Sequence, residues 1–215
     1  MTTTMKTIIT AVGEGFLLAL LVLLVPFCET MDVIVLGNDI GEISLTEVVQ
    51  VILLLTTAII FWYRAWRATE ARGFLILVAG FFSCMLIREL DFLFDKIDHG
   101  FWFWPATAIA VMSIFTALKY CQGTVCEPMA AFINTKPYFY IVFGLLVVII
   151  FSRIFGSGNL FWQHVVADYT RIYKSLLQEG LELFGYIFIT YGSCLILWDK
   201  KIFLNSERSP KFKAG

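Results

Sequence analysis

Charge is scarce in this chain. Asp, Glu, Lys and Arg make up 15% of its 215 residues, where a soluble domain carries about 25%. With 59% of residues hydrophobic and a mean hydropathy of +0.81, that shortage excludes an ordinary soluble globule and points to a polytopic membrane protein. Histidine is scarcer still: His99 and His164 are the only two. Two imidazoles cannot complete a three-histidine zinc site, and no H-x-x-x-H, E-x-x-H or H-E-x-x-H spacing occurs. The five cysteines form no C-x-x-C pair. Only Cys28 falls near the side assigned below as outer, so no intramolecular disulfide is expected. The G-x-S-G of rhomboid-like proteases, the E-E-x-x-x-R of CAAX-type proteases and the paired histidines of b-type haem proteins are absent too. There is no internal repeat and no low-complexity tract.

What the chain has in plenty is apolar runs. Stretches at about 8–27, 46–63, 73–90, 102–119, 138–155 and 179–198 have roughly the length needed to span a bilayer. The fold expected is therefore all-α, a six-span transmembrane bundle forming one integral membrane domain over 1–215. Lys6 and the short first run resemble a signal peptide, but no small-residue cleavage site follows, so the run is read as a retained span. Eleven of the 16 basic residues, from Lys6 and Arg64 to the tail at 199–215, fall on the side of the N-terminus. This positive-inside bias places both termini in the cytoplasm, and a bacterial inner membrane is the preferred location. The net charge of −1 argues neither way on nucleic acid, and none is expected as a partner. The expected partners are the lipid bilayer and either further copies of the chain or another subunit of a membrane complex.

Polar residues inside the apolar runs mark the candidate site, because ionisable groups within a membrane are costly and nearly always face protein or water. His164, Asp168, Arg171, Ser175, Glu179, Glu182, Tyr186, Thr190 and Ser193 recur in steps of three or four, which places them on one helical face. Residues 160–178 are amphipathic, and either lie flat on the outer surface or continue span six outward. Span three likewise runs past its apolar part, with Arg88, Asp91, Asp95, Asp98 and His99 on one face and Glu89 and Lys96 on another. A helix from Gly73 to His99 would be about 40 Å long against a core of about 30 Å, so an outer extension of span three is expected beside that of span six. Glu47 and Gln50 point the same way from the outer end of span two, which Ser44 and Glu47 open as a capping box. Spans four and five carry few polar groups and read as scaffold on the periphery, with spans one, two, three and six turning polar faces inward.

Arg88, Glu89, Asp91, Asp95, Glu179, Glu182 and Tyr186 are thus the candidates for an outer-half site. Glu14, on a face with Thr7 and Thr10, is read as a second site at the inner end or as a side chain snorkelling to the interface. Three functions could use these groups. The preferred one is the handling of a small ion, proton or polar solute, with Glu179 and Glu182 binding, Arg88 balancing charge and Tyr186, Thr190 and Ser193 lining a path inward. The alternative is a metal-dependent intramembrane enzyme acting on a lipid or lipid-linked group, with His99, His164 and Glu182 as ligands. The cofactor is undetermined, and a divalent metal is the less favoured expectation. The third is a non-catalytic subunit or sensor, in which Arg88 with Asp91 or Glu182 is a structural ion pair.

Overall fold

The structure is a computed structural model that describes residues 2–37, 44–157, 162 and 171–198, with the backbone alone at 171, 173 and 198. Every regular element among these residues is helical. Five segments are long and apolar enough to cross a membrane: Thr3–Val35, Leu45–Arg67, Phe103–Tyr120, Lys136–Phe155 and Lys174–Leu197. The chain therefore fits a multi-pass membrane protein.

The first segment is α1 (Thr3–Val22), α2 (Leu24–Thr30) and a π-helical turn at Met31–Val35. That turn sets Asp32, fully buried, beneath the start of α3 (Leu45–Arg67). The Asp32 carboxylate accepts from the backbone N–H groups of Leu45 (2.7 Å) and Thr46 (2.9 Å) and from the Thr46 hydroxyl (2.6 Å). Ser44 Oγ accepts from the N–H of Glu47 at 3.1 Å. Two side chains thus satisfy N–H groups that the first turn of a helix otherwise leaves without partners.

A short connection leads to α4 (Arg72–Glu89), whose N-terminus is capped from a distance. Thr124 receives the N–H of Gly73 on its hydroxyl (2.9 Å) and that of Phe74 on its carbonyl (3.0 Å). A Cβ at Gly73 would stand 2.7 Å from Val125 Cγ2 and 2.8 Å from Thr124 Oγ1, so only glycine lets this turn close on α4. After α4 come the single turn α5 (Asp91–Phe94) and then α6 (Phe103–Tyr120), α7 (Cys126–Ile133), α8 (Lys136–Leu146), a second π-helical turn at Val147–Phe151, and α9 (Ser152–Phe155). The last helix, α10, runs unbroken over Arg171–Trp198.

The helices pack in the lateral order α6, α4, α3, α10, α8, with α2 against α3 and α10 and α7 bridging α4 and α8. Because lipid tails are as apolar as leucine, close backbone approach does much of the work between such helices. A Cβ on Gly185 of α10 would meet Val148 Cγ2 at 2.5 Å and the Gly144 carbonyl of α8 at 2.8 Å. Gly80 of α4 faces Ser113 of α6 in the same manner: a Cβ added there would stand 2.6 Å from that of Ser113. Phe61 and Phe82 stack with ring centroids 5.5 Å apart at the centre, beside Leu75, Ala79, Tyr186 and Ile189.

Several expectations need correcting. Span three does not extend as a helix to His99: α4 stops at Glu89, where Leu90 leaves helical geometry (φ −95°, ψ 18°), and the chain turns back through α5 and a positive-φ Gly100. Arg72, Arg88 and Glu89 within its eighteen residues keep α4 out of the set of five membrane-capable helices, although α3 and α6 flank it. Span one is not inside the bundle, since α1 has no buried residue and only Cys28 of α2 and then Asp32 are enclosed. Spans four and five do lie at the periphery, since α6 and α8 are the two ends of the row, although α8 packs along its inner neighbour α10. The helix α7 was not expected. Of the amphipathic stretch 160–178, residues from 171 on belong to the same helix as span six. Residues 160, 161 and 163–170 and the tail from 199 lie outside the described residues.

Candidate functional site

At the end of the bundle where α3 begins and α4 stops, a cavity of about 200 Å³ is lined by Glu47, Arg88, Glu89, Asp91, Phe92, Arg153, Gln178, Glu179 and Glu182. Each helix contributes for a local reason. Glu47 sits in the first turn of α3. Arg88 and Glu89 are the last residues of α4, and the break at Leu90 swings Asp91 over the rim. Glu179 and Glu182 are one turn apart on α10. Arg153 comes from α9, beyond the π-helical turn of Val147–Phe151, whose extra residue rotates the chain by about 100° and aims Ser152 toward α10.

Glu182 is the hub. Its side chain is only 3% exposed. Oε1 accepts from Ser152 Oγ at 3.2 Å and from Gln178 Nε2 at 3.4 Å, and lies 3.8 Å from an Arg153 nitrogen. Oε2 lies 3.9 Å from Arg88. Arg88 makes its tight pair with the adjacent Glu89 instead, and Glu89 Oε1 also accepts from the hydroxyl of the fully buried Tyr186 at 2.7 Å. Glu179 Oε2 accepts from Gln50 Nε2 at 3.1 Å, and the same amide nitrogen donates to the Glu179 backbone carbonyl at 3.0 Å. Gln50 is completely buried, and its Oε1 has no hydrogen-bond partner among the described residues.

The charge balance is uneven. Five carboxylates and two guanidiniums line the cavity, a formal net charge of −3 with all groups ionised. Like charges confined beside low-dielectric walls repel strongly. Bound protons or a bound cation would relieve that repulsion.

Of the residues singled out in the sequence, Arg88, Glu89, Asp91, Glu179 and Glu182 meet at this cavity, and Tyr186 closes its floor through Glu89. Asp95 does not line it. Its carboxylate instead accepts from the N–H of Gly100 at 3.0 Å and pairs with His99 Nδ1 at 3.0 Å, on the exposed turn after α5. The Gly100 bond, then the His99 side chain, holds the Asp95 carboxyl below its usual pKa. His99 is 96% exposed and distant in role from Glu182. His164 lies outside the described residues. Among those residues, no group of three or more His, Cys, Asp or Glu is arranged to hold a metal ion. Glu14 sits toward the opposite end of the bundle, paired with Lys136 at the start of α8. The lower part of the α10 stripe is taken up by packing: Thr190 Oγ1 shares a 3.1 Å bond with Thr57 and donates to the Leu53 carbonyl, and Ser193 donates to Ile189.

Sequence reasoning missed Arg153 and Gln178 as members of the cavity, and Ser152 as a hydrogen-bond donor to Glu182. Arg153 had one available signal, as a lone cation at the end of a span that otherwise has none between Lys136 and itself. Set against known protein families, curated proteins and solved structures, the chain finds no match in any of the three.

Proposed function

We propose that this protein is a six-span membrane protein, with α4 as the sixth span and both termini cytoplasmic, whose outer-facing cavity takes up protons or a small cationic solute. Such a chain belongs most simply in a bacterial inner membrane. The positive-inside bias supports the orientation. The surplus of carboxylates over guanidiniums in the cavity is the single observation that carries the binding role. Glu179 and Glu182 are the binding groups, Gln50 fixes Glu179, and Arg88 and Arg153 hold part of the negative charge in balance. Thr190 and Ser193 are bonded within the bundle, so the cavity works as a binding site at one end rather than as a standing pore.

Infrared difference spectroscopy of the purified protein tests this directly. Stepping the pH, or adding sodium, potassium or ethanolammonium, should change carboxyl bands in the wild type, and Glu179→Gln and Glu182→Gln should remove distinct parts of that change. No carboxyl response to any of these probes in correctly folded protein sinks the reading and leaves the charged groups as helix-to-helix ties.

A further inference from the structure

A second cavity, of opposite character, lies beyond the Tyr186–Glu89 bond. It measures about 320 Å³ and is walled by Phe74, Val78 and Phe82 of α4 and by Ile141, Val142 and Leu145 of α8. Phe61 of α3 and Phe132 of α7 complete its wall, and among the described residues no Asp, Glu, Lys, Arg or His lines it. No Cα of α4 comes within 8 Å of a Cα of α8, α9 or α10, so side chains alone bridge the gap. Phe81, Met129 and Ile133 stand at its rim, 40–49% exposed. The gap is therefore a trough with apolar walls, open toward the bilayer.

The helices that wall the trough continue to the charged cavity, past the Tyr186–Glu89 bond. Along one face of α4 the residues run Phe74, Val78, Phe82, Met85 and then Glu89. On the other side α8 continues through its π-helical turn into Ser152 and Arg153. From Val78 to Arg88 the helix rises about 15 Å, which is the depth of one leaflet of a hydrocarbon core about 30 Å thick.

We propose that the trough holds an acyl chain of a phospholipid whose zwitterionic head, a phosphate joined to a primary ammonium, sits in the charged cavity. The guanidiniums of Arg88 and Arg153, with side chains 35% and 48% exposed, take the phosphate. The carboxylates of Glu47, Glu179 and Glu182 take the ammonium, whose N–H groups can donate to them. A wholly anionic head would face five carboxylates with no cation to offer them, and a quaternary ammonium has no N–H to donate. The head assignment rests on the cation-binding reading, whereas the tail site stands on the trough alone.

The test is native mass spectrometry of protein reconstituted with equal amounts of phosphatidylethanolamine, phosphatidylglycerol and phosphatidylcholine, then stripped with mild detergent. Phosphatidylethanolamine should be retained over the other two by about tenfold, a difference of about 1.4 kcal/mol. Val78→Trp, which fills the trough from α4, should abolish retention while leaving the carboxyl infrared response intact. Val142→Phe fills it from α8 and serves if the first variant fails to fold. Equal retention in wild type and both variants overturns the proposal without touching the cation reading. Equal retention of the three heads, or a lipid-free dimer whose second copy fills the trough, overturns it as well. Selective retention in a wild type that shows no carboxyl response to sodium, potassium or pH supports the trough and sinks the free-cation reading alone.

Discussion

Tyr186 and Glu89 join two helices whose backbones do not touch, and removing one oxygen measures what that link contributes. The Tyr186 hydroxyl donates to Glu89 Oε1 at 2.7 Å from a completely buried ring. Tyr186→Phe keeps the ring and its packing and deletes only the donor. A hydrogen bond to a charged group contributes about 1.5–3 kcal/mol. Glu89 keeps Arg88 as a partner and its side chain is 12% exposed, so the lower end applies, about 1.5 kcal/mol. For a chain of this size that is a fall of about 3–6 °C in the unfolding midpoint. Thermal unfolding in detergent micelles, followed by tryptophan fluorescence, reads the shift. A cycle with Glu89→Gln separates the bond from the cost of disturbing Arg88, and a coupling near 1 kcal/mol is expected between the two sites. Because side chains alone hold α4 opposite α10, amide exchange around 86–92 should also rise in Tyr186→Phe. If the two substitutions add to within about 0.5 kcal/mol and exchange is unchanged, the bond does not tie α4 to α10, and the reasoning fails.

At the seam between α8 and α10, Gly185→Ala would force its Cβ against Val148 and the Gly144 carbonyl. Overpacking of about 1–3 kcal/mol should outweigh the roughly 1 kcal/mol of helix propensity gained, and a raised midpoint would refute this. Asp32→Ala removes the acceptor for two N–H groups of α3 and should cost about 1–2 kcal/mol, with amide protection lost first at Leu45 and Thr46 when exchange is measured. The Asp95 carboxyl titrates below its usual value because Gly100 and then His99 bond to its charged form, so its contribution to the 95–100 turn is complete above about pH 3.9 and is lost as pH falls through the depressed value. Protection at Gly100 should accordingly fall with acid in the wild type and stay flat in Asp95→Asn; a flat profile in both would mean the bond does not hold the turn.

Helix positions were largely legible because long apolar runs and the step of three or four are local properties. The cap at Ser44 was legible for the same reason. Asp32 as a second cap was not, since its ligands lie thirteen and fourteen residues away and depend on a π-helical turn that no periodicity announces. The helical extension expected from span three failed on similar grounds. The charges after Arg88 do fall at helical spacing, but Leu90 ends the helix, α5 lasts a single turn, and the Asp95 side chain accepts from the N–H of Gly100 where the chain reverses. Span one was placed inside because it holds Glu14, yet Lys136 meets that carboxylate at the edge of the bundle and α1 needs no enclosure.

The polar stripe on α10 meets two different surroundings along its length. Its period identified the face turned toward protein, from Glu179 to Ser193, but a period cannot say whether a polar face meets a cavity or a partner. That depends on what the neighbouring helix offers at the same height. Beside Glu182, α4 offers a guanidinium 3.9 Å away and α9 offers another at 3.8 Å, too far for tight pairing, and a space remains between them. Two turns further along, α3 offers Thr57 at 3.1 Å from Thr190, and the space closes. One uninterrupted stripe therefore does two jobs. Replacing Thr57 and Thr190 together by valine should leave the bundle folded, because removing both partners of a buried pair is far less costly than orphaning one. Replacing Thr190 alone should lower stability by about 1 kcal/mol or more, with Thr57 left to seek another acceptor. Equal losses in the single and double variants would mean that this half of the stripe is not held by the pair, and that it belongs with the cavity after all.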